Sequence, residues 1–220
     1  IRWDYVDRSA AHFHGLWTSH PDGSGVASLF GNYTMRVNAC YQPRAIPGSD
    51  KLVFIAGAHH ADVGGSLVLL DPHRRRLDPI TGEDCLEALE RLTPEICFPE
   101  SEGWPSSYFH SPWPLSENAF LVAYSHDPLP GMSSGETRDT RTGLYYFDRQ
   151  GHWELLYRDP EISSMYPIPL RSRPTPPVLA SQLDARLGDE GEFLLADVGR
   201  GHFPLPQERS IRELRVFQLL

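Results

Sequence analysis

The stretches PRAIPGSDKLVFIAG (residues 43–57) and SPWPLSENAFLVAY (residues 111–124) share one form, and that form sets the expected fold. Pro47 aligns with Pro114, Ser49 with Ser116, Asp50 with Glu117 and Val53 with Phe120. Each gives a short strand, a turn built on Pro and Ser, and then a run that is apolar at consecutive positions. A run without alternation suits a strand covered on both faces. A third copy, YPIPLRSRPTPPVLAS (166–181), keeps the frame around Pro169, but its extra prolines confine it to an edge or irregular strand.

A second recurrence lies around the first. LWTSHPDGSG, LVLLDPHRRR, LYYFDRQGHW and FLLADVGRGH each place an apolar strand before an Asp and a short polar turn; Asp22, Asp71, Asp148 and Asp197 are 49, 77 and 49 residues apart. The middle interval is longer by 28 residues, the length of ITGEDCLEALERLTPEICFPESEGWPSS. In that segment Leu86, Leu89 and Leu92 recur at about one helical turn, Thr81 offers an N-cap with an acidic residue three positions on, and Pro94 stops the run. One short helix in an insertion is the expectation.

Each unit therefore has four antiparallel strands in about 50 residues, the per-blade length of β-propellers. The predicted fold is all-β: a partial β-propeller of about four blades of four antiparallel strands, with one short helical insertion. The blades fall at about 1–38, 39–79, 107–163 and 164–220, and the insertion at 80–106. The first blade lacks its first strand and opens on IRWDYVD, so the chain is expected to be part of something longer. The last ends on IRELRVFQLL, where Ile211, Leu214 and Val216 suit an outer strand. An immunoglobulin-like sandwich ranks lower, because its strands do not repeat in sets of four at this interval.

Composition narrows the function classes. The chain has 220 residues, 40% of them hydrophobic, which is enough for a proper core. Its 20 prolines and 18 glycines are scattered without a period, as in a turn-rich β protein. A formal charge of −9 repels phosphate backbones, so nucleic acid is not an expected partner. The basic run Arg74, Arg75, Arg76 follows Asp71-Pro72 and is expected to be a solvated turn. No apolar run is long enough for a membrane span, and the first residues lack a signal-peptide pattern.

The three cysteines, Cys40, Cys85 and Cys97, form no Cys-x-x-Cys pair, which disfavours a structural zinc or covalent haem within the chain. Cys97 is expected to be buried rather than reactive. Asn32 in NYT matches a glycosylation tripeptide that is common by chance. There is no nucleophile elbow, phosphate loop or helical histidine pair. Asp189 and Glu190 in LGDEGE fit a solvated turn.

The candidate site residues are histidines. In FIAGAHHADVGGSLVLLDP (54–72), His59, His60 and Asp62 lie in a connection between two inner strands, with Gly57, Gly64 and Gly65 freeing the backbone. In a propeller such a connection lies at one end, near the mouth of the central channel. Imidazoles with a carboxylate can hold a divalent metal. Two readings stand: a metal or ligand site, or turn and hydrogen-bonding duty; if the pair lay on a strand, the rings would point to opposite faces. In HFHGLW, His12 and His14 alternate with Phe13 and share one strand face. His12, His14, His59, His60 and Asp62 form the candidate metal set. His110 and His126 bracket the strong strand of the third blade and either reach the same channel or are exposed loop polarity. Trp3, Trp17, Trp113 and Trp153 are expected between blades, and Trp104 at a channel end or on a contact surface.

WDYVDRSAAHFHGLWTSHPDGSG, AGAHHADVGGSLVLLDP, LTPEICFPESEGWPSSYFHSPWPLSE, GLYYFDRQGHWELLYRDPEISSMYPIPLRSRPTPPV and IRELRVFQLL together resemble the propeller portion of proteins related to the hydrazine synthase alpha subunit. These are extracytoplasmic bacterial proteins with TolB-type or WD-repeat-like propeller repeats. The resemblance implies a periplasmic or cell-surface location. It also implies a following domain with a Cys-x-x-Cys-His haem attachment, and true hydrazine synthases join nitric oxide and ammonia at haem. This chain has no Cys-x-x-Cys-His, so no haem role passes to any residue here. The implied function is a non-catalytic scaffold that binds another domain or protein subunit. The alternative is part of a redox haem enzyme, or a metal-binding hydrolase whose pocket uses the propeller histidines.

Overall fold

In the computed structural model the described residues are 2–8, 11–31, 34–131 and 141–184, with 186, 188 and 213; side chains are described from residue 14 onward. The chain forms two units, Ile1–Gln182 and Leu183–Leu220, and every element described belongs to the first. Asn32, Asp189, Glu190, Asp197, the IRELRVFQLL strand and the side chains of Trp3 and His12 lie outside the described set.

The described chain is almost entirely β. Its strands are β1 (Arg2–Arg8), β2 (Ala11–Thr18), β3 (Ala27–Phe30), β4 (Ala39–Ala45), β5 (Leu52–Gly57), β6 (Ser66–Leu70), β7 (Leu89–Arg91), β8 (Tyr108–Pro114), β9 (Ala119–Ser125), β10 (Gly143–Asp148) and β11 (Trp153–Tyr157). Six of them, in the order β1-β2-β4-β5-β6-β7, curl as a half-barrel, and β3 pairs with β2 at the side. The others form an antiparallel sheet in the order β11-β10-β9-β8. Two four-strand meanders are thus present, β4 to β7 and β8 to β11. A single parallel pair, His14 with Ala39, joins β2 to β4.

Strand β5, LVFIAG, is buried at every position because both its faces are covered. Val53 and Ile55, with Leu67 and Leu69 of β6, pack against Phe109, Phe120, Val122 and Phe147 of the second sheet. Leu52, Phe54 and Ala56, with Val68 and Leu70, pack the other way against Leu16, Phe30 and Val37. Period-two geometry sends alternate residues to opposite faces, so an unbroken apolar run serves two cores at once.

The leucine spacing that predicts a helix produces a 3-10 turn at Leu86–Ala88 followed by β7, and the helix is absent. Residues three apart in extended chain lie on opposite faces. Leu89 accordingly packs into the core shared with Phe54, and Leu92 into the core shared with Ile55. Thr81 sits in a turn whose backbone is held by Asp78, and Ile96 and Phe98 are core residues. The segment therefore completes the β4–β7 meander, as β7 pairs with β6, and does not stand apart as a helical insertion.

The recurrent turn residues act alike. Asp22, Asp71 and Asp148 each accept from the backbone N–H two residues on, at 2.9, 3.0 and 2.9 Å, the Asx geometry that closes a tight turn. Ser49 and Ser116 accept from the N–H groups of Lys51 and Asn118, both at 3.1 Å. The two serine turns also meet: Lys51 Nζ lies 2.7 Å from Glu117 Oε2, and Ser49 Oγ donates to Glu117 Oε1 at 2.5 Å.

A further recurrence appears only in the backbone. The β4–β5 register shifts between Tyr41 and Arg44, and the β8–β9 register between His110 and Trp113. In both bulges the residue before a proline has positive φ, Gln42 at 51° and Ser111 at 53°. Tyr166, before Pro167, has φ 53° in the third copy. Positive φ is uncommon for residues with a β-carbon, and a following proline restricts the backbone further. Three such residues converge. Gln42 Oε1 accepts from Ser111 N at 2.6 Å, and Gln42 Nε2 donates to Tyr166 Oη at 3.2 Å.

Of the Arg74–Arg76 run, Arg74 and Arg76 are exposed, but Arg75 is drawn inward. Its Nε lies 2.5 Å from Asp84 Oδ1, and Asp84, with its side chain fully buried, also accepts from Gly31 N at 2.9 Å. Trp17 and Trp113 are half-buried on their strands. Trp153 on β11 is 43% exposed, and Trp104 is 55% exposed, so neither is enclosed.

Candidate functional site

The loop between β5 and β6 is held from three sides. Tyr41 Oη, from β4, donates to Ala58 O at 3.0 Å. Asn38 Oδ1 accepts from His59 N at 2.6 Å. Glu100, whose φ of 67° turns its backbone sharply, accepts through Oε2 from His59 N at 2.9 Å and His60 N at 3.1 Å, and its Oε1 is 2.5 Å from His60 Nδ1. Burial pushes the Glu100 carboxyl up, but the hydrogen bonds from the His60 ring and the two backbone N–H groups outweigh it, and the net shift is downward. Burial, then the negative charge of Glu100, pushes the Tyr41 phenol up to about 12.

Against this loop stands His14 on β2. The residue is buried, its ring is edge-on to Tyr41 with centroids 5.4 Å apart, and its Nε2 faces His59 Nδ1 at 2.8 Å. One of the two facing nitrogens must carry a proton and the other a lone pair. The expectation that adjacent histidines diverge does not apply, because His59 and His60 occupy a turn and their rings meet edge to face with centroids 4.4 Å apart.

The structure brings His14, His59 and His60 together and adds Glu100 and Asn38. The His12 side chain lies outside the described residues; its backbone pairs with Asp7. Asp62 is directed elsewhere: it is exposed, its N–H donates to Pro130 O at 3.0 Å, and it lines a separate cavity with His110. Among the described residues no three His, Cys, Asp or Glu side chains form a group suited to a metal ion. His110 is 96% buried on β8, not in an exposed loop. His126 is exposed beside Trp153 and lies 3.2 Å from Tyr145 Oη.

Glu100 was not legible as a site residue, because its contact with His60 spans 40 positions. The Xaa-Pro pairs at Gln42, Ser111 and Tyr166 were legible in principle, since YQPR, HSPW and MYPI recur ahead of the turn prolines.

The cysteines do not fit covalent haem. Cys40 is buried with its thiol raised by burial, Cys97 is half-buried and shifted the same way, and no histidine follows a cysteine pair. No helix among the described residues is long and apolar enough to cross a membrane. The chain has no match among family models, curated proteins or solved structures.

Proposed function

We propose that the chain is an arc of a β-propeller serving as a non-catalytic binding scaffold for another domain or protein subunit. The location would be extracytoplasmic, as the hydrazine synthase alpha subunit resemblance implies. On that reading haem chemistry belongs to a separate domain. The observation that carries the proposal is the convergence of Gln42, Ser111 and Tyr166, each at positive φ before a proline, the first two in equivalent strand bulges and the third in the third sequence copy. Radial stacking brings equivalent points of successive blades to a common axis. The two-sided burial of β5, with the second sheet on one face and β2 and β3 of its own curled sheet on the other, supports the same reading. The test is an experimental structure of the protein with its partner. The expected result relates the β4–β7 and β8–β11 meanders by rotation about an axis near Gln42, Ser111 and Tyr166. Two sheets facing each other with no shared axis would overturn it.

A second reading rests on the 2.8 Å approach of His14 Nε2 and His59 Nδ1. Two nitrogens on one tetrahedral zinc lie about 3.3 Å apart, so a small opening of this pair would admit a divalent ion, with His60 and Glu100 at hand. Elemental analysis after dialysis against zinc is expected to give one zinc per chain, lost in His59→Ala. Absence of stoichiometric metal would remove this reading.

A further inference from the structure

A cavity of about 230 Å³ opens beside the converging bulges, lined by Gln42, Asp62, Tyr108, His110, Ser163 and Tyr166 among others. Its polar atoms have assignable roles. Ser111 N donates to Gln42 Oε1 at 2.6 Å, which fixes the amide and turns its Nε2 toward Ser111 Oγ at 3.5 Å and Tyr166 Oη at 3.2 Å. The Ser111 oxygen accepts from Gln42, leaving its O–H for His110 Nδ1 at 3.0 Å. His110 Nδ1 must then present a lone pair, and the proton of the neutral ring resides on Nε2. Burial alone holds the imidazole below its ordinary range, at about 4, so the ring is neutral across physiological pH. By the same logic Tyr166 Oη accepts from Gln42 and retains its own O–H to donate.

The cavity lining therefore combines uncharged donors, His110 Nε2–H and Tyr166 O–H, with one carboxylate acceptor, Asp62, and two tyrosines, Tyr108 and Tyr166. Among the described lining residues an anion meets Asp62 with no cation to offset it. A metal ion meets a nitrogen already protonated. A vicinal diol matches both halves, since each hydroxyl accepts from a donor and donates to the carboxylate.

We infer that this cavity binds the ring of a neutral sugar, through His110, Tyr166 and Asp62. Two residues at positive φ that precede prolines, Gln42 and Tyr166, line it, and a third, Ser111, is hydrogen-bonded to Gln42; backbone held in this region is common at functional sites. The inference stands on the cavity itself and does not depend on closure of the repeats into a propeller.

Isothermal titration of the intact chain with glucose, galactose, mannose and N-acetylglucosamine, and with their β-linked oligomers, tests it. Saturable binding of at least one free sugar identifies a monosaccharide site. Binding of oligomers alone identifies the terminal ring of a glycan. Asp62→Asn, at an exposed position, is expected to weaken binding about tenfold or more with an unchanged thermal midpoint. Ser111→Ala is expected to weaken it through loss of the His110 orientation. Absence of binding by every sugar, equal binding by Asp62→Asn, or preference for inorganic phosphate would overturn the assignment.

Discussion

Acidification tests the burial of His110 directly. The imidazole is 96% buried on β8, its nearest polar contact is the Ser111 hydroxyl at 3.0 Å, and the Tyr108 ring lies beside it with centroids 5.8 Å apart. Burial is the sole cause of its shift from 6.5 to about 4. Because the folded-state value is depressed, the unfolded chain binds a proton between those limits that the folded chain refuses. Stability therefore falls as pH falls from 6.5 and the loss is complete below about 4. A displacement of this size corresponds to about 3 kcal/mol, with a limiting slope of about 1.4 kcal/mol per pH unit. Urea denaturation followed by tryptophan fluorescence, from pH 7.5 down to 4, measures it in the wild type and in His110→Asn. Asparagine offers Ser111 an acceptor and does not titrate. The wild type should lose about 3 kcal/mol more than the variant over this range. Parallel profiles would refute the reasoning, because they would mean that the ring takes up its proton without leaving the folded state.

Other predictions concern stability. Asp84→Ala strands the Arg75 guanidinium and the Gly31 N–H against a buried void; a loss of about 3 to 5 kcal/mol is expected in urea denaturation. Gly65 has φ 151°, and a β-carbon there would stand 2.0 Å from Ala56 O where the chain bridges to Phe109; Gly65→Ala should cost about 3 kcal/mol, read as a lowered thermal midpoint. Glu100 has a depressed carboxyl, so its contribution is present above the ordinary glutamate value and lost as pH falls through the folded-state value. Glu100→Gln should flatten the stability profile below pH 4.5, and an unchanged profile there would contradict the hydrogen-bond account.

The match between PGSDKLVFIAG and PLSENAFLVAY located β5 and β9 and the serine turns before them, because those features rest on local chemistry: a side chain that closes its own turn and a strand without alternation. The leucines at 86, 89 and 92 misled for a related reason. A spacing of three marks one face of a helix, yet it also places residues on alternate faces of a strand, and only a second core to receive Leu92 distinguishes the cases. The histidines of AGAHH were legible as residues in a connection, but not their partners. Asn38, Glu100 and His14 reach that loop across 21, 41 and 45 positions.

From its amino acids alone the chain is turn-rich, β-forming and internally repeated, since strand propensity, turn closure and the apolar run are properties of neighbours along the backbone. Tertiary structure decided that the presumed insertion supplies a strand, that Asp62 leaves the histidines for the His110 cavity, and that three positive-φ residues preceding prolines meet. Those outcomes depend on which distant surfaces fill each other's space, and no local pattern encodes the partner.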